Sequence, residues 1–322
     1  MEPFGVRRSQ CPPDDASPVV ADEMEAVDPK AVRDAANIGD EVIDGLLVHR
    51  GGPDRRRVTS LVESDGAEAD GGRGAMAGAL PEQPVRWPAV AQSWRHVTFL
   101  HWPLPPEVVA SRLPEGLEPD LWEGQAWVSI TPFLVEGFRF PPLPALPSLS
   151  RFPETNLRTY VRGPGGVDGL WFFSLDADSA LTVATAWAGT GVPYRWSAMA
   201  VETGETITYT ARRRRPCRPA GHRIVVRPGP PLSVAEASER DHFLTGRWRA
   251  YTTLAGVLAT VPVEHQPWRL QHAEVVTLEE DLFVAAGLPA PSGVPLVSYS
   301  PGVDARLGPV RLAHHQADER DR

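Results

Sequence analysis

Lysine is all but missing from this chain of 322 residues: of 32 Lys+Arg, only Lys30 is lysine and the other 31 are arginine. Every side-chain cation beyond it is therefore a guanidinium, which keeps its proton throughout the physiological range. That excludes Schiff-base catalysis there, because an imine to a keto acid or to pyridoxal phosphate needs an amine that burial or a neighbouring cation can deprotonate. The abundance of Ala, Arg, Gly and Pro traces the shortage to GC-rich coding, and the chemical consequence holds whatever its cause.

Cysteine is nearly as scarce. Cys11 and Cys217 form no disulfide framework and match no metal-ligand spacing, which fits a reducing compartment. No Gly-x-Ser-x-Gly elbow surrounds Ser129 or Ser174, which disfavours serine-hydrolase chemistry. Gly163-Pro164-Gly165-Gly166 leads into a strand and not a helix, so it offers no phosphate cradle. No run approaches the ~18 apolar residues of a membrane helix, and the acidic start is unlike a secretory signal. The chain is expected to be cytoplasmic, with no membrane partner.

Aromatic side chains are missing from the first quarter. All ten Trp, all five Tyr and nine of the ten Phe lie at or beyond Trp87, leaving Phe4 alone before it. Residues 1–85 carry 17 acids against 9 bases and too little apolar surface to offset chain entropy. They are expected to be a disordered, low-complexity extension from an over-extended gene model, with Met76 as the natural start. Residues 86–310 are expected to form one domain and 311–322 a polar tail. From residue 86 onward 24 acids balance 23 bases, which leaves no electrostatic footprint for nucleic acid.

What the domain does have is proline, 34 in the whole chain, and a period-2 pattern. Strands are predicted at 93–101, 124–135, 156–162, 169–175, 194–202 and 205–213, the last two joined as a hairpin through Thr203-Gly204. Further strands are predicted at 223–227, 258–263, 269–276 and 296–300. Helices are predicted at 106–112, over a broken or kinked 232–254, and at 278–286. The fold class is mainly β (α+β), a β-barrel or sandwich with a few peripheral helices.

The segment from Phe152 to Arg162 holds the densest candidate chemistry. If it is extended, Glu154, Asn156, Arg158 and Tyr160 share one face. Glu154 and Arg158 then lie roughly 13 Å apart along the strand, too far to pair with each other. Two readings stay open: a solvated strand surface, or the wall of a cavity in which Arg158 takes a carboxylate bidentately. His101 ends an apolar row with Val97 and Phe99 and reads as a hydrogen-bonded core histidine, as does His265. His101, His265 and Glu154 fall in no shared motif, so no metal site is assigned. Asp176 reads as a turn or cap residue before Ser179, with a strand-end acid or base as the alternative. Arg212 to Arg215 read as a solvated strand end.

Taken in order, Phe99-Leu100-His101-Trp102-Pro103, Leu113-Pro114-Glu115-Gly116-Leu117, Glu154 to Val161, Phe172 to Ala177, Pro193-Tyr194 and Pro267-Trp268 resemble the YqjF-like family, bacterial proteins with domain of unknown function 2071. The resemblance implies an acetoacetate decarboxylase-like β-barrel around an apolar cavity, with no established activity. Decarboxylases of that type place a lysine, an arginine and a glutamate around a keto acid. The lysine has no counterpart in this domain, and Arg269 stands where relatives carry the second proline of Pro-Trp-Pro-Leu.

The expected function is binding of a small organic acid or carbonyl compound, with Arg158 as anion anchor and Glu154, Asn156, Tyr160 and His101 around it. A non-covalent acid/base enzyme using Glu154 or His101 is the first alternative, and an interaction protein that pairs through its sheet edges the second. No cofactor is expected, and self-association is left open.

Overall fold

The computed structural model describes residues 84–313 apart from 147–148, 215–218 and 234–236. The expected extension, the Met76 start, Cys217 and the expected tail fall outside those residues, except at 84–85 and 311–313. The described residues form a 14-stranded sheet. Its strands are β1 (Val90–Leu104), β2 (Glu118–Pro119), β3 (Leu121–Trp122), β4 (Gln125–Arg139), β5 (Phe152–Arg162), β6 (Asp168–Ala177) and β7 (Tyr194–Thr203). They continue with β8 (Ile207–Arg213), β9 (Gly221–Pro231), β10 (Arg249–Leu254), β11 (Val257–His265), β12 (Gln271–Glu280), β13 (Leu296–Leu307) and β14 (Arg311–Leu312). The helices are short: α1 (Pro106–Ala110), α2 (Ala180–Gly189), α3 (Glu239–Thr245) and α4 (Leu282–Ala285). None is long and apolar enough to cross a membrane.

The hydrogen bonding runs in rings. Stepping through β6, β7, β8, β9, β12, β13, β1, β4 and β5 leads back to β6, because β5 and β6 also pair. A second circuit leaves β6 through β10 and β11 and rejoins at β13. Strands β13, β1, β4, β5 and β6 belong to both circuits, so elements cover them on both faces. On β5 every residue from Glu154 to Val161 is buried.

Its alternation divides two environments. Leu157 packs with Ile207, Tyr209, Ile224 and Val226 of β8 and β9, and Thr155 meets His222 of β9 at 2.9 Å. Tyr160, on the other face, packs with Trp127, Leu170 and Leu244. Burying a side chain such as Leu157 contributes about 2 kcal/mol.

The predicted strands occur in place, and β7 and β8 pair antiparallel from Ser197↔Arg213 to Thr203↔Ile207. The long helix expected over 232–254 does not form. Residues 234–236 of it lie outside the described ones; its middle is α3, opened by a Ser238–Asp241 capping box, and past Gly246 the β-branched and aromatic Arg249–Leu254 becomes β10. Ala255 and Gly256, both at positive φ, turn β10 into β11. The helix expected at 278–286 shrinks to α4, because β12 runs on through Glu280. Helix α2, capped by Ser179, was not anticipated: its apolar composition carries no polar stripe.

Candidate functional site

Register brings the expected residues together. Pairing of β4 with β5 sets Ser129 opposite Arg158, Thr131 opposite Asn156 and Phe133 opposite Glu154. On the far side of β4, β1 sets His101 opposite Ser129. Glu154, Asn156, Arg158 and Tyr160 retain 4%, 7%, 8% and 0% of their exposure, so the solvated-surface reading is excluded. His101 is buried beside them, its ring stacked on Phe99 at 6.1 Å.

Tyr160 orders the far end of the row. Its hydroxyl donates to the Leu244 carbonyl at 2.7 Å and lies 3.1 Å from His101 Nδ1. A hydroxyl has one proton, so His101 donates through Nδ1–H and is left with Nε2 as a bare acceptor. Burial, helped by the Arg158 and Arg240 guanidiniums, holds His101 well below the usual imidazole range, which keeps it neutral.

Arg158 is the anomaly. Its guanidinium lies 5.5 Å over the Phe99 ring and bonds the Tyr160 hydroxyl, yet its buried Nε has no acceptor and no carboxylate pairs with it among the described residues. The chain treats its other buried arginines differently. Arg213 makes 2.8 and 2.9 Å bonds to the two oxygens of Asp176 and a 2.7 Å bond to Ser174. Arg247 lies 3.0 Å from Asp120 and 2.6 Å from Asp168. A buried cation without a counter-ion costs several kcal/mol, and among the described residues only the Phe99 ring and the Tyr160 hydroxyl offset part of that cost at Arg158. Two expectations are corrected by the same bonds: Asp176 is no turn residue but the buried partner of Arg213, and Arg213 is no solvated strand end.

Glu154 also lacks a cation among the described residues. Burial raises its carboxyl from 4.5 to about 8, a nearby Asp176 adds to this, and a 3.2 Å hydrogen bond from Tyr194 opposes it. The folded protein thus holds a proton that the unfolded chain releases above pH 4.5, so stability falls as pH rises from there and levels off near pH 8. Glu154→Gln is expected to flatten that slope, with a difference on the order of 3 kcal/mol by alkaline pH. Paired thermal melts from pH 5 to 9 check it; parallel curves would contradict it.

Around the row stand groups that sequence reasoning missed or discounted. Trp268 packs edge-on against Phe99 at 5.0 Å and lies 4.7 Å from the buried His265, which falls to about 4 through burial. Asn156 Oδ1 is buried without a hydrogen bond. Arg240 and Phe243 come from α3, which lies within the helix expected over 232–254. Two surface clefts, of about 510 and 330 Å³, are lined by none of the five expected residues. The smaller one abuts the site, since its Phe243 and Arg247 both contact the Tyr160 ring. No group of three His, Cys, Asp or Glu among the described residues is arranged to hold a metal.

Comparison with known proteins bears on family and fold. The model of a family described as "Uncharacterized conserved protein", DUF2071, matches residues 91–304. The "Uncharacterized protein YqjF" of Bacillus subtilis (strain 168) is 37% identical over 221 residues, 68% of this chain and 90% of the relative. Acetoacetate decarboxylase from Legionella pneumophila superposes with a TM-score of 0.51 at 12% identity, covering 77% of this chain and 98% of that one. The enduracididine biosynthesis enzyme MppR complexed with pyruvate gives a TM-score of 0.50 at 15% identity, covering 72% and 93%. At such identities the likeness is one of fold, and the expected acetoacetate decarboxylase-like, mainly β architecture is the one observed.

Proposed function

We propose that this chain, which belongs to the DUF2071 family, binds a small organic acid or carbonyl compound in an enclosed site against β5. Arg158 anchors the acid group, with Glu154, Asn156, Tyr160 and His101 around it. The observation that carries the reading is the buried Arg158 guanidinium that no carboxylate among the described residues neutralises. A ligand carboxylate supplies the missing counter-charge and matches the guanidinium fork with two parallel hydrogen bonds. A protonated Glu154 offers a donor to a carbonyl oxygen. That MppR, a fold neighbour, was crystallised with pyruvate supports a keto acid as ligand. With no lysine beyond Lys30, the acid is held without an imine, and borohydride treatment with pyruvate leaves no adduct in residues 86–310. A thermal-shift screen of carboxylic and 2-oxo acids tests the reading. An acid at 100 times its Kd adds about 2.7 kcal/mol of stability, a rise of roughly 5–10 °C for a domain of this size. No shift with any acid would sink the proposal.

Glu154 favours a second reading, an acid/base enzyme acting on the same ligand. A carboxyl titrating near 8 is protonated at neutral pH, as a general acid for enolisation, hydration or decarboxylation must be. Exchange of α-hydrogens of a bound 2-oxo acid with deuterated solvent, lost in Glu154→Gln, separates this from binding alone. Ligand binding with no exchange or turnover leaves only the binding protein.

A further inference from the structure

We infer that the ligand carries two anionic groups, called a dianion below whether the second is a carboxylate or a more highly charged phosphate, one taken by Arg158 and the other by Arg240; this rests on the anion-anchor reading above and names its ligand class.

Arg240, Phe243 and Leu244 stand three and four residues apart on α3 and so share one face of that helix. That face is turned to β5. The Phe243 ring lies 5.4 Å from the Tyr160 ring, Leu244 accepts the Tyr160 hydroxyl at 2.7 Å, and Leu244 is buried among Trp127, Tyr160 and Leu170. Arg240 Nε is buried there with no acceptor, and Arg240 pairs with no carboxylate among the described residues. Both Arg158 and Arg240 are near enough to His101 to act on its imidazole.

Apart from the exposed Glu239, the acids nearby are already committed. Asp120 and Asp168 serve Arg247, with Arg162 also on Asp120, and Asp176 serves Arg213. Glu154 keeps its proton. Two guanidiniums on different elements are thus left without counter-charge around one imidazole, and a monoanion neutralises only one of them. Two carboxylates on a short chain, or a carboxylate and a phosphate, neutralise both, each by the planar fork that suits either group.

Calorimetric titration of the full chain with pyruvate, oxaloacetate, 2-oxoglutarate, 2-oxoadipate and 2-phosphoglycolate tests this. At least one dianion is expected to bind about tenfold or more tightly than pyruvate, the worth of one further charge-assisted contact. Arg240→Gln should lose that preference by about tenfold while pyruvate affinity stays within about twofold, and Arg240→Lys should keep part of it; Arg158→Gln should weaken both kinds of acid. Melting curves of each variant verify that it is folded. Equal losses for pyruvate and the dianions in a folded Arg240→Gln, or pyruvate binding more tightly than every dianion, would overturn the inference and leave the Arg158 anchor standing. Failure of every acid to bind the unaltered chain would instead remove the anchor reading and this inference with it. A phosphate-bearing winner and a dicarboxylate winner both support it and differ in what the Arg240 end accepts.

Discussion

Replacing Arg158 by methionine is expected to stabilise the ligand-free protein while abolishing its response to carboxylic acids. Arg158 is buried with no counter-ion among the described residues, so its desolvation is only partly compensated, by Phe99 and Tyr160, when no ligand is present. Methionine fills a similar volume, adapts to the Phe99 ring and carries no charge. The expected gain is about 1–3 kcal/mol, a rise of roughly 2–12 °C in melting temperature, together with a loss of acid affinity of 100-fold or more. Melting curves with and without the best acid from the screen measure both. A destabilised variant that still responds to the acid would show that Arg158 belongs to the scaffold. Such an inverse relation between stability and binding is expected where strain is held for function.

The opposite outcome is expected at the other buried arginine. Asp176→Ala leaves Arg213 with Ser174 and no carboxylate, in a place where both ionic side chains are almost wholly buried. Breaking such a pair costs about 3–5 kcal/mol, enough to lower the melting temperature by roughly 6–20 °C. Ser197 also loses the 2.7 Å acceptor for its hydroxyl. Asp176→Ala combined with Arg213→Met should recover much of the loss, because the stranded charge goes with its partner. Chemical denaturation of the three variants decides; a double variant as unstable as Asp176→Ala would mean that shape, not charge, holds this corner. Arg158 and Arg213 are the same residue type at similar burial, and the presence of a carboxylate predicts opposite signs for their removal.

Much of this was legible before the coordinates. The alternation of Glu154, Asn156, Arg158 and Tyr160 is a property of an extended chain, so their common face followed directly. Whether that face was wet did not follow. Its cover comes from α3 and from the turn bearing Trp268, more than 80 residues further on, and local periodicity carries no information about such closure. Asp176 and Arg213 were misread for a related reason: they sit on β6 and β8, and only the register through Ser197 of β7 brings them together. Arg240 was passed over because a seven-residue helix has too few turns to show a stripe, and the strand that follows it blurred the pattern. The resemblance of the segments from Phe99 to Trp268 to a known family anticipated the architecture, whereas the unpaired guanidiniums became visible only when burial and partners were known.

The most direct measurement is a crystal structure of the protein grown with a 2-oxo acid that raises its melting temperature. The account predicts a carboxylate with both oxygens about 3 Å from the Arg158 guanidinium, on the face of β5 that carries Glu154 and Tyr160. An acid bound elsewhere, with Arg158 paired to a carboxylate of the protein itself, would contradict it.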